Sequence, residues 1–369
     1  MRACEALREA GYEGALRLVG AEEHLPYDRP PLSKQLLAGS WAPERCTLKP
    51  ASDLDALGIE LDLGSRAQSL DLAGRSVLLG DGRSLEYDGL VIATGADARP
   101  VKGLSGRPGV LSLRTIDEAL ALKTVISRPG AHLVIAGAGL IGLEVAATAR
   151  GLGAKVTVVD PCAIALEGAF GRAIGQTCES MHRGHGVDLR LSTTLESAAS
   201  GGHGSGVRCR LSDGTSVEAE AVLVAVGVVP ATSWLEGSGL EASDQGVACD
   251  ASLTAAPGVV VAGDLARWPD SLTGELGRIE HRTNAAEQGE HAARSLLGGD
   301  GLRPRFKKVP YFWSDQYGHK IQVIGSLKAT EQTVVVDGSM NELCFVALFG
   351  RAGRLCGALG FSQPKALMG

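Results

Sequence analysis

A glycine-rich loop near the middle of the chain has the residue types and spacing that hold a pyrophosphate. The sequence GAGLIG spans 137–142 and fits the pattern G-x-G-x-x-G; the apolar segment AHLVIAG (131–137) precedes it and a run of small residues follows. In this order of strand, loop and helix, Gly137 allows the tight turn and Gly139 lets the backbone approach phosphates, while Gly142 lets helix and strand pack closely. The pattern predicts a dinucleotide site at the helix N-terminus.

An acidic residue ends the second strand of the same unit. The segment AKVTVVD (154–160) is mostly apolar and closes with Asp160. A carboxylate there can accept hydrogen bonds from ribose hydroxyls and would repel a 2′-phosphate, so we expect NAD and not NADP. The alternative is a set of turn glycines with no ligand.

Two other apolar segments meet glycine on either side of this unit. They are VIATG (91–95) and VVVAGD (259–264), and each alone could be an ordinary core strand. Their order around the central unit suggests one domain that is split in sequence by an inserted nucleotide domain. Asp264 ends the second of these strands, where it can accept hydrogen bonds from a ribose or polyol, cap a helix, or do both.

Composition excludes several classes of protein. The 369 residues are 44% hydrophobic and 4% aromatic with a net charge of −6, which indicates several globular domains and argues against a nucleic-acid binder. No uncharged apolar stretch is long enough for a membrane helix, and the N-terminus lacks the apolar region of a secretory signal. Eight cysteines are present, and none has C-x-x-C spacing. We therefore expect reduced thiols in the cytoplasm, without a disulfide scaffold or a metal site.

The pattern of the remaining chain predicts its main elements. A helix is expected over 115–125, with Thr115 and Glu118 as a capping box. Residues 76–95 read as a strand, an Asp-Gly turn and a second strand running into Gly95. Further helices are expected at 3–10 and 284–297, strands at 15–20 and 187–226, and an antiparallel sheet after a domain boundary near 301.

Long segments of the chain resemble the FAD-dependent ferredoxin reductases of the putidaredoxin reductase and rhodocoxin reductase type, within the two-dinucleotide-binding flavoprotein superfamily. The resemblance rests on segments that include LPYDRPPLSKQLLAG (25–39), LRTIDEALAL (113–122), PGVVVAGDLARWPD (257–270), TNAAEQGEHAARSLL (283–297) and VPYFWSDQYGHKIQVIG (309–325). It implies an α/β fold with two Rossmann-like dinucleotide-binding domains and a C-terminal α+β domain. The FAD domain would be discontinuous (1–110 and 238–300), with the NAD domain (111–237) inserted and the reductase domain at 301–369.

The resemblance also implies roles for individual residues. Lys34 would lie near the reactive edge of the flavin, with Glu144 beside it and the nicotinamide, and Trp313 would belong to an aromatic cluster beside the isoalloxazine. The other cofactor contacts that it implies are Glu22 (FAD ribose), Arg29 (FAD phosphates), Ala67, Arg114 (beside the flavin), Asp264 (ribityl chain) and Arg282, which replaces an apolar or aromatic residue of relatives. From these positions we expect an ion pair between Lys34 and Glu144.

The function that the resemblance implies is electron transfer from NADH through FAD to a small iron–sulfur ferredoxin that serves an oxygenase, either a cytochrome P450 or a Rieske-type enzyme. The basic run Arg303, Arg305, Lys307 and Lys308 is a candidate docking site for an acidic ferredoxin, or else a solvated linker. Disulfide or peroxide reduction is a weaker alternative, because no cysteine lies between Cys4 and Cys46.

A third possibility follows from the start of the sequence. The resembling proteins begin with a strand and a first G-x-G-x-x-G loop, whereas this sequence starts within the helix that should follow that loop. We therefore expect a chain that lacks about 15 N-terminal residues of a doubly wound domain and binds FAD poorly. The alternative function is then a truncated inactive remnant, or an NAD-binding protein without stable FAD.

Overall fold

A computed structural model describes residues 1–201, 206–269, 274–299, 304–327 and 330–368. Its α-helices, in chain order, are α1 (Arg2–Glu9), α2 (Ala51–Ala56), α3 (Ile116–Ile126), α4 (Leu140–Gly151), α5 (Glu167–Phe170), α6 (Arg172–Gly184), α7 (Arg282–Leu297) and α8 (Pro364–Met368). The described residues contain no helix that combines the length and apolar character needed to span a membrane.

The strands, also in chain order, are β1 (Leu16–Val19), β2 (Ile59–Asp62), β3 (Ala67–Asp71), β4 (Ser76–Leu79), β5 (Ser84–Glu86), β6 (Leu90–Ile92), β7 (Ala96–Ala98), β8 (Val110–Leu111), β9 (His132–Ala136), β10 (Lys155–Asp160), β11 (Asp188–Leu191), β12 (Leu195–Ser200), β13 (Val207–Leu211), β14 (Ser216–Ala219), β15 (Ala221–Val224), β16 (Val228–Pro230), β17 (Ala242–Ser243), β18 (Gly246–Ala248), β19 (Thr254–Ala256), β20 (Val259–Val261), β21 (Ala266–Pro269), β22 (Leu276–Gly277), β23 (Tyr311–Gln316), β24 (His319–Gly325), β25 (Gln332–Ser339), β26 (Cys344–Arg351) and β27 (Arg354–Phe361).

The chain divides into two compact units, each made of three segments. Unit 1 comprises Met1–Asp28, Thr47–Asp97 and Val229–Pro310. Unit 2 comprises Arg29–Cys46, Ala98–Val228 and Tyr311–Gly369. Both units are therefore assembled from stretches that are distant in sequence.

Unit 2 contains the predicted strand–loop–helix–strand unit. A five-stranded parallel sheet has the order β11–β10–β9–β15–β8, and α4 connects β9 to β10. Strand β9 is apolar because the side chains on both of its faces are buried, as is usual for a central parallel strand. The register pairs Val134 with Thr157 on one side and with Val222 on the other. The predicted dinucleotide-binding fold is confirmed for this part of the chain.

The C-terminal part of unit 2 is the predicted antiparallel sheet, with the order β23–β24–β27–β26–β25. The hairpin between β23 and β24 turns at Tyr317 and Gly318, whose φ angles are 52° and 82°. Positive φ at both residues is the requirement of a type I′ turn, which follows the twist of the flanking strands. This turn fixes which side chains of β23 face the buried side of the sheet.

Unit 1 contains parallel strand pairs as well as the antiparallel sheet β3–β4–β5. Strand β1 pairs with β2, with Leu16 opposite Ile59, and β20 pairs with β6, with Val259 opposite Leu90. Helices α1 and α7 pack so closely that a Cβ on Gly289 would lie 3.4 Å from the backbone nitrogen of Ala3. The α/β fold class that the sequence predicts is confirmed.

The prediction of a single strand running into Gly95 is wrong. Strand β5 forms an antiparallel hairpin with β4, whereas β6 belongs to a different sheet and runs parallel to β20. The backbone changes direction between them at 87–89, where the Tyr87 N–H donates to Arg75 O. The pattern of residues 84–92 does not reveal this change of partner, because periodicity indicates a strand but not the strand with which it pairs.

The capping box at the start of α3 provides a test of local stability. Thr115 Oγ1 accepts the Glu118 N–H at 3.2 Å, and Glu118 Oε2 accepts the Thr115 N–H at 3.0 Å. We expect Thr115→Ala to lower the free energy of unfolding by about 1 kcal/mol, measured by urea denaturation. Thr124→Ala in the same helix is the control, since the exposed Thr124 hydroxyl bonds only to Leu120 O among the described contacts. Equal effects of the two substitutions would contradict the cap.

Candidate functional site

At each of the three pattern positions of the GAGLIG loop, a different steric condition explains the glycine. Gly137 has φ +116°, and a Cβ there would lie 2.3 Å from Ala225 O. A Cβ on Gly142 would lie 2.1 Å from Gly137 O. Gly139, by contrast, has open space around its Cβ position. Two glycines are therefore required by the fold, and the third leaves room for a ligand.

The loop leads directly into α4, and its conformation is held by an acid. Gly139 is the N-cap of α4 and offers no side chain to the first backbone N–H groups of the helix. Asp160 accepts the Ala138 N–H on Oδ2 at 2.7 Å and the Cys162 N–H on Oδ1 at 2.8 Å. Asp160 thus clamps the glycine loop, a role that its position at a strand end did not suggest.

These observations test whether the loop suits a dinucleotide. The uncapped helix N-terminus supplies donors and a positive dipole, the open side of Gly139 admits phosphate oxygens, and Asp160 remains half-buried beside the loop. Carboxylate oxygens can accept more than one hydrogen bond each, so Asp160 can hold the loop and a ribose together. The residues fit the pyrophosphate and ribose of NAD.

The predicted ion pair between Lys34 and Glu144 is present. Lys34 Nζ lies 2.7 Å from Glu144 Oε2, and the two side chains are only 9% and 2% exposed. Lys34 ends a short 3₁₀ helix (Pro30–Ser33), and its ammonium also donates to Pro30 O at 3.3 Å. The proline-rich segment thereby aims the lysine at α4.

Two serines that sequence reasoning missed complete the surroundings of Glu144. Ser33 Oγ donates to Oε2 at 2.5 Å, and Ser314 Oγ donates to Oε1 at 2.6 Å. The carboxylate therefore has donors on both oxygens, as a buried charge requires. No signal in the sequence marks Ser314, because its burial together with Gln316 on one face of β23 is visible only in the structure.

The structure also brings Arg29 and Arg114 together in unit 2. Arg29 Nη1 donates to Arg114 O, and the Arg114 N–H donates to Glu118 Oε2 at 2.6 Å. Trp313 lies on β23, where its ring stacks near Tyr311 at 6.0 Å between centroids. Lys320 Nζ lies 6.0 Å from the centroid of the Trp313 ring.

The remaining predicted cofactor residues belong to unit 1. Glu22 follows β1 and accepts a hydrogen bond from Tyr27 Oη, and Asp264 follows β20. Ala67 begins β3 and is half-buried, while Arg282 begins α7 and pairs with Asp28 at 2.8 Å. Glu22 and Asp264 each lie beyond the carboxyl end of a parallel strand, the usual place for nucleotide binding in α/β folds.

A buried amide in unit 1 bears on the fit of a flavin nucleotide. Gln288 Oε1 accepts the Gly263 N–H at 2.8 Å. Its Nε2 is buried and has no acceptor among the described residues. A ligand oxygen would satisfy this donor. The carboxylates of Glu22 and Asp264 can accept hydrogen bonds from ribose and ribityl hydroxyls. These residues fit the ribose and ribityl parts of FAD.

The fold and these contacts define a class: a nucleotide-binding α/β protein with a buried ion pair on the helix that begins at its phosphate loop. Two family models match the chain, pyridine nucleotide-disulphide oxidoreductase over residues 1–289 and reductase C-terminal over residues 311–369. Because these models together span most of its length, the chain belongs to the pyridine nucleotide-disulphide oxidoreductase family and carries the reductase C-terminal domain. The resemblance predicted from the sequence is confirmed.

Individual relatives agree with this assignment. The anthranilate 1,2-dioxygenase system ferredoxin–NAD(+) reductase component of Burkholderia cepacia is 36% identical, covering 90% of this chain and 81% of the relative. Rhodocoxin reductase of Rhodococcus erythropolis is 36% identical over 98% of this chain and 84% of its own length. Among solved structures, the reductase of the covalent putidaredoxin reductase–putidaredoxin complex matches with a TM-score of 0.92 and 31% identity, over 100% of this chain and 88% of the other.

The two kinds of glycine in the loop should respond differently to substitution. We expect Gly142→Ala to destabilise the protein by about 1–3 kcal/mol, because its methyl group would overlap Gly137 O. Gly139→Ala should leave stability unchanged and weaken NADH binding at least about tenfold, because a methyl group would occupy the phosphate space. Urea denaturation and calorimetric titration with NADH measure the two effects. Undiminished NADH binding by Gly139→Ala would exclude the loop as the phosphate site.

Proposed function

We propose that this protein is an NADH-dependent, FAD-containing reductase that delivers electrons to a small iron–sulfur ferredoxin, which in turn serves an oxygenase. The observation that carries the proposal is the buried pair Lys34–Glu144 on the same helix that begins at the GAGLIG loop. The reductases named for the anthranilate dioxygenase system and for rhodocoxin support it through their similarity over nearly the whole chain.

Different residues of unit 2 are assigned to binding and to orienting NADH. The loop and the α4 N-terminus would hold the pyrophosphate through backbone N–H groups, and Asp160, which holds the loop, would also accept a ribose hydroxyl. Lys34 and Glu144 orient the nicotinamide, since hydride transfer requires a fixed register between donor and acceptor. Trp313 on β23 would provide an aromatic surface for the isoalloxazine.

Flavin binding is assigned residue by residue from the family resemblance. We assign the FAD ribose to Glu22, the ribityl chain to Asp264 and the phosphates to Arg29, with Ala67, Arg114 and Arg282 as further contacts. A bound flavin would supply the conversion of a two-electron donation from NADH into single-electron delivery. The protein contributes position and electrostatics to that chemistry.

The domain roles follow the same assignment. Residues 1–110 and 238–300 would form the FAD domain, 111–237 the NAD domain and 301–369 the reductase domain. We propose the cytoplasm as the compartment, because the reaction consumes NADH and because eight cysteines without C-x-x-C spacing are typical of reduced thiols.

The choice of nicotinamide cofactor tests the proposal directly. We expect the flavin-loaded protein to oxidise NADH with a kcat/KM at least about 100-fold above that for NADPH, because the Asp160 charge opposes a 2′-phosphate. Asp160→Asn should narrow this ratio while keeping one carbonyl oxygen for the loop. Asp188→Asn is the control, since it removes the same charge from the start of the neighbouring strand β11. Equal kcat/KM values for the two cofactors in the unsubstituted protein would refute NADH preference.

The basic run before the C-terminal sheet is our candidate docking site for the ferredoxin. Arg303 lies outside the described residues, whereas Arg305, Lys307 and Lys308 are exposed around the buried Phe306. Phe306 packs edge-on against Trp268 at 5.8 Å and anchors this extended segment. The three basic side chains therefore face solvent, where they can attract an acidic partner.

Neutralising this segment should slow ferredoxin reduction. We expect the triple variant Arg305→Gln, Lys307→Gln and Lys308→Gln to lower kcat/KM for an acidic ferredoxin about tenfold at low salt and to flatten its salt dependence. The double variant Arg208→Gln and Arg210→Gln, which neutralises exposed arginines of β13, is the control. Ferredoxin reduction that is independent of ionic strength in the unsubstituted protein would exclude electrostatic docking.

A further inference from the structure

A line of buried polar side chains continues from Glu144 into the core of unit 2. Ser314 Oγ lies 2.6 Å from Glu144 Oε1, and Gln316 Nε2 lies 3.0 Å from Ser314 Oγ. At the far side of the amide, Gln316 Oε1 lies 2.8 Å from His182 Nε2. All four side chains are almost fully buried, and they come from α4, β23 and α6.

The chemistry of each group fixes the direction of the hydrogen bonds. Burial lowers the pKa of His182 to about 4, so the imidazole is neutral at pH 7 and carries one N–H. The Gln316 carbonyl can only accept, which puts that N–H on Nε2. Tyr317 Oη lies 3.3 Å from Nδ1, which is left as an acceptor. Every donor therefore points along the line toward the Glu144 carboxylate.

The backbone holds this line in place. Ser314 and Gln316 are alternate residues of β23, so both face the same buried side. Tyr317 occupies the hairpin turn that follows, and its ring stacks on His185 at 3.7 Å between centroids. The donor side chains are thus held by strand β23, by helix α6 and by the hairpin turn that follows β23.

This line of hydrogen bonds is suited to orienting the Glu144 carboxylate and not to transferring a proton. A proton could cross Gln316 only if its side-chain amide passed through the imidic acid tautomer. A neutral amide does not form this tautomer readily. A chain of donors that all point one way instead polarises each bond and favours a single arrangement of its acceptor. The acceptor at the end is Oε1 of Glu144, whose other oxygen holds Lys34.

We propose that Ser314, Gln316 and His182 are positioning residues that fix the Glu144 carboxylate in the one orientation in which it holds the Lys34 ammonium. The consequence for NADH oxidation rests on the proposed function, whereas the consequence for the ion pair does not. Without the Ser314 hydroxyl the carboxylate can rotate, and Lys34 loses its fixed partner.

Two measurements on Ser314→Ala test this proposal. In the flavin-loaded protein we expect the rate of flavin reduction by NADH in stopped flow to fall about tenfold, with KM for NADH changed less than about twofold. In competitive labelling with acetic anhydride we expect acetylation of Lys34 to rise several-fold relative to the exposed Lys155, measured by mass spectrometry of peptides. The labelling needs no activity.

The contribution of Gln316 should pass through Ser314. Gln316→Leu has a similar volume and should slow flavin reduction about threefold, and it should add nothing to Ser314→Ala in the double variant. Ser295→Ala is the matched control, because it also removes a hydroxyl buried to 1% exposure, one with no partner among the described residues. It should leave both readouts unchanged.

The outcomes separate the two proposals. If the flavin-loaded wild type fails to oxidise NADH, the proposed function fails, and Lys34 labelling still decides the positioning role. If Ser314→Ala matches Ser295→Ala in labelling, or changes KM alone, the positioning role is overturned. Additive effects of Gln316→Leu and Ser314→Ala would also overturn it. Should Ser314→Ala not fold, Ser314→Cys, which keeps the size with a much weaker donor, replaces it under the same criteria.

Discussion

Unit 2 is organised around the hydrogen-bond donors that one buried carboxylate requires. Glu144 is 2% exposed, and a charge at that depth is tolerated only when donors surround it. Its donors come from two distant segments, with Ser33 and Lys34 on one oxygen and Ser314 on the other. Three stretches of the chain must therefore assemble correctly before the carboxylate can be buried at all. This requirement explains why the proline-rich segment belongs to the same compact unit as α4 and β23.

The same helix connects this carboxylate to the phosphate loop. Helix α4 begins immediately after Gly139, and Glu144 lies in its second turn. At the rise of about 1.5 Å per residue, the helix N-terminus and Glu144 are about 7 Å apart along the axis. Helix α4 therefore fixes the distance between the ion pair and a ligand whose phosphates contact the loop. Close packing at Gly142 keeps that element against β9, since a Cβ there would meet Gly137 O at 2.1 Å.

Local features of the sequence were sufficient where local physics decides the structure. The glycine loop, the capping box of Thr115 and the antiparallel C-terminal sheet all follow from short patterns with one structural solution. The ion pair of Lys34 with Glu144 was predicted through the resemblance to a known family, because its members are 110 residues apart and no periodicity relates them.

Long-range hydrogen bonds account for what the sequence did not reveal. Asp160 clamps the loop because Ala138, 22 positions earlier, lies beside it in the folded sheet. Ser314, Gln316 and His182 are ordinary polar residues in sequence, and only their shared burial marks them. The change of sheet between β5 and β6 was hidden for a related reason, since β5 pairs with the strand just before it, whereas the partner of β6 is β20, far along the chain.

The Lys34–Glu144 pair is buried much more deeply than the surface ion pairs of the protein. Arg83 with Asp62 and Arg208 with Glu218 have at least one strongly exposed partner, so solvent screens them and each contributes little. Burial makes the Lys34–Glu144 attraction stronger but also imposes a desolvation cost, and an apolar pair of equal volume would stabilise a fold as well or better. Stability therefore gives no reason to keep two charges there. The ammonium and the carboxylate, aligned by donors that all point inward, are better explained by the chemistry that they position.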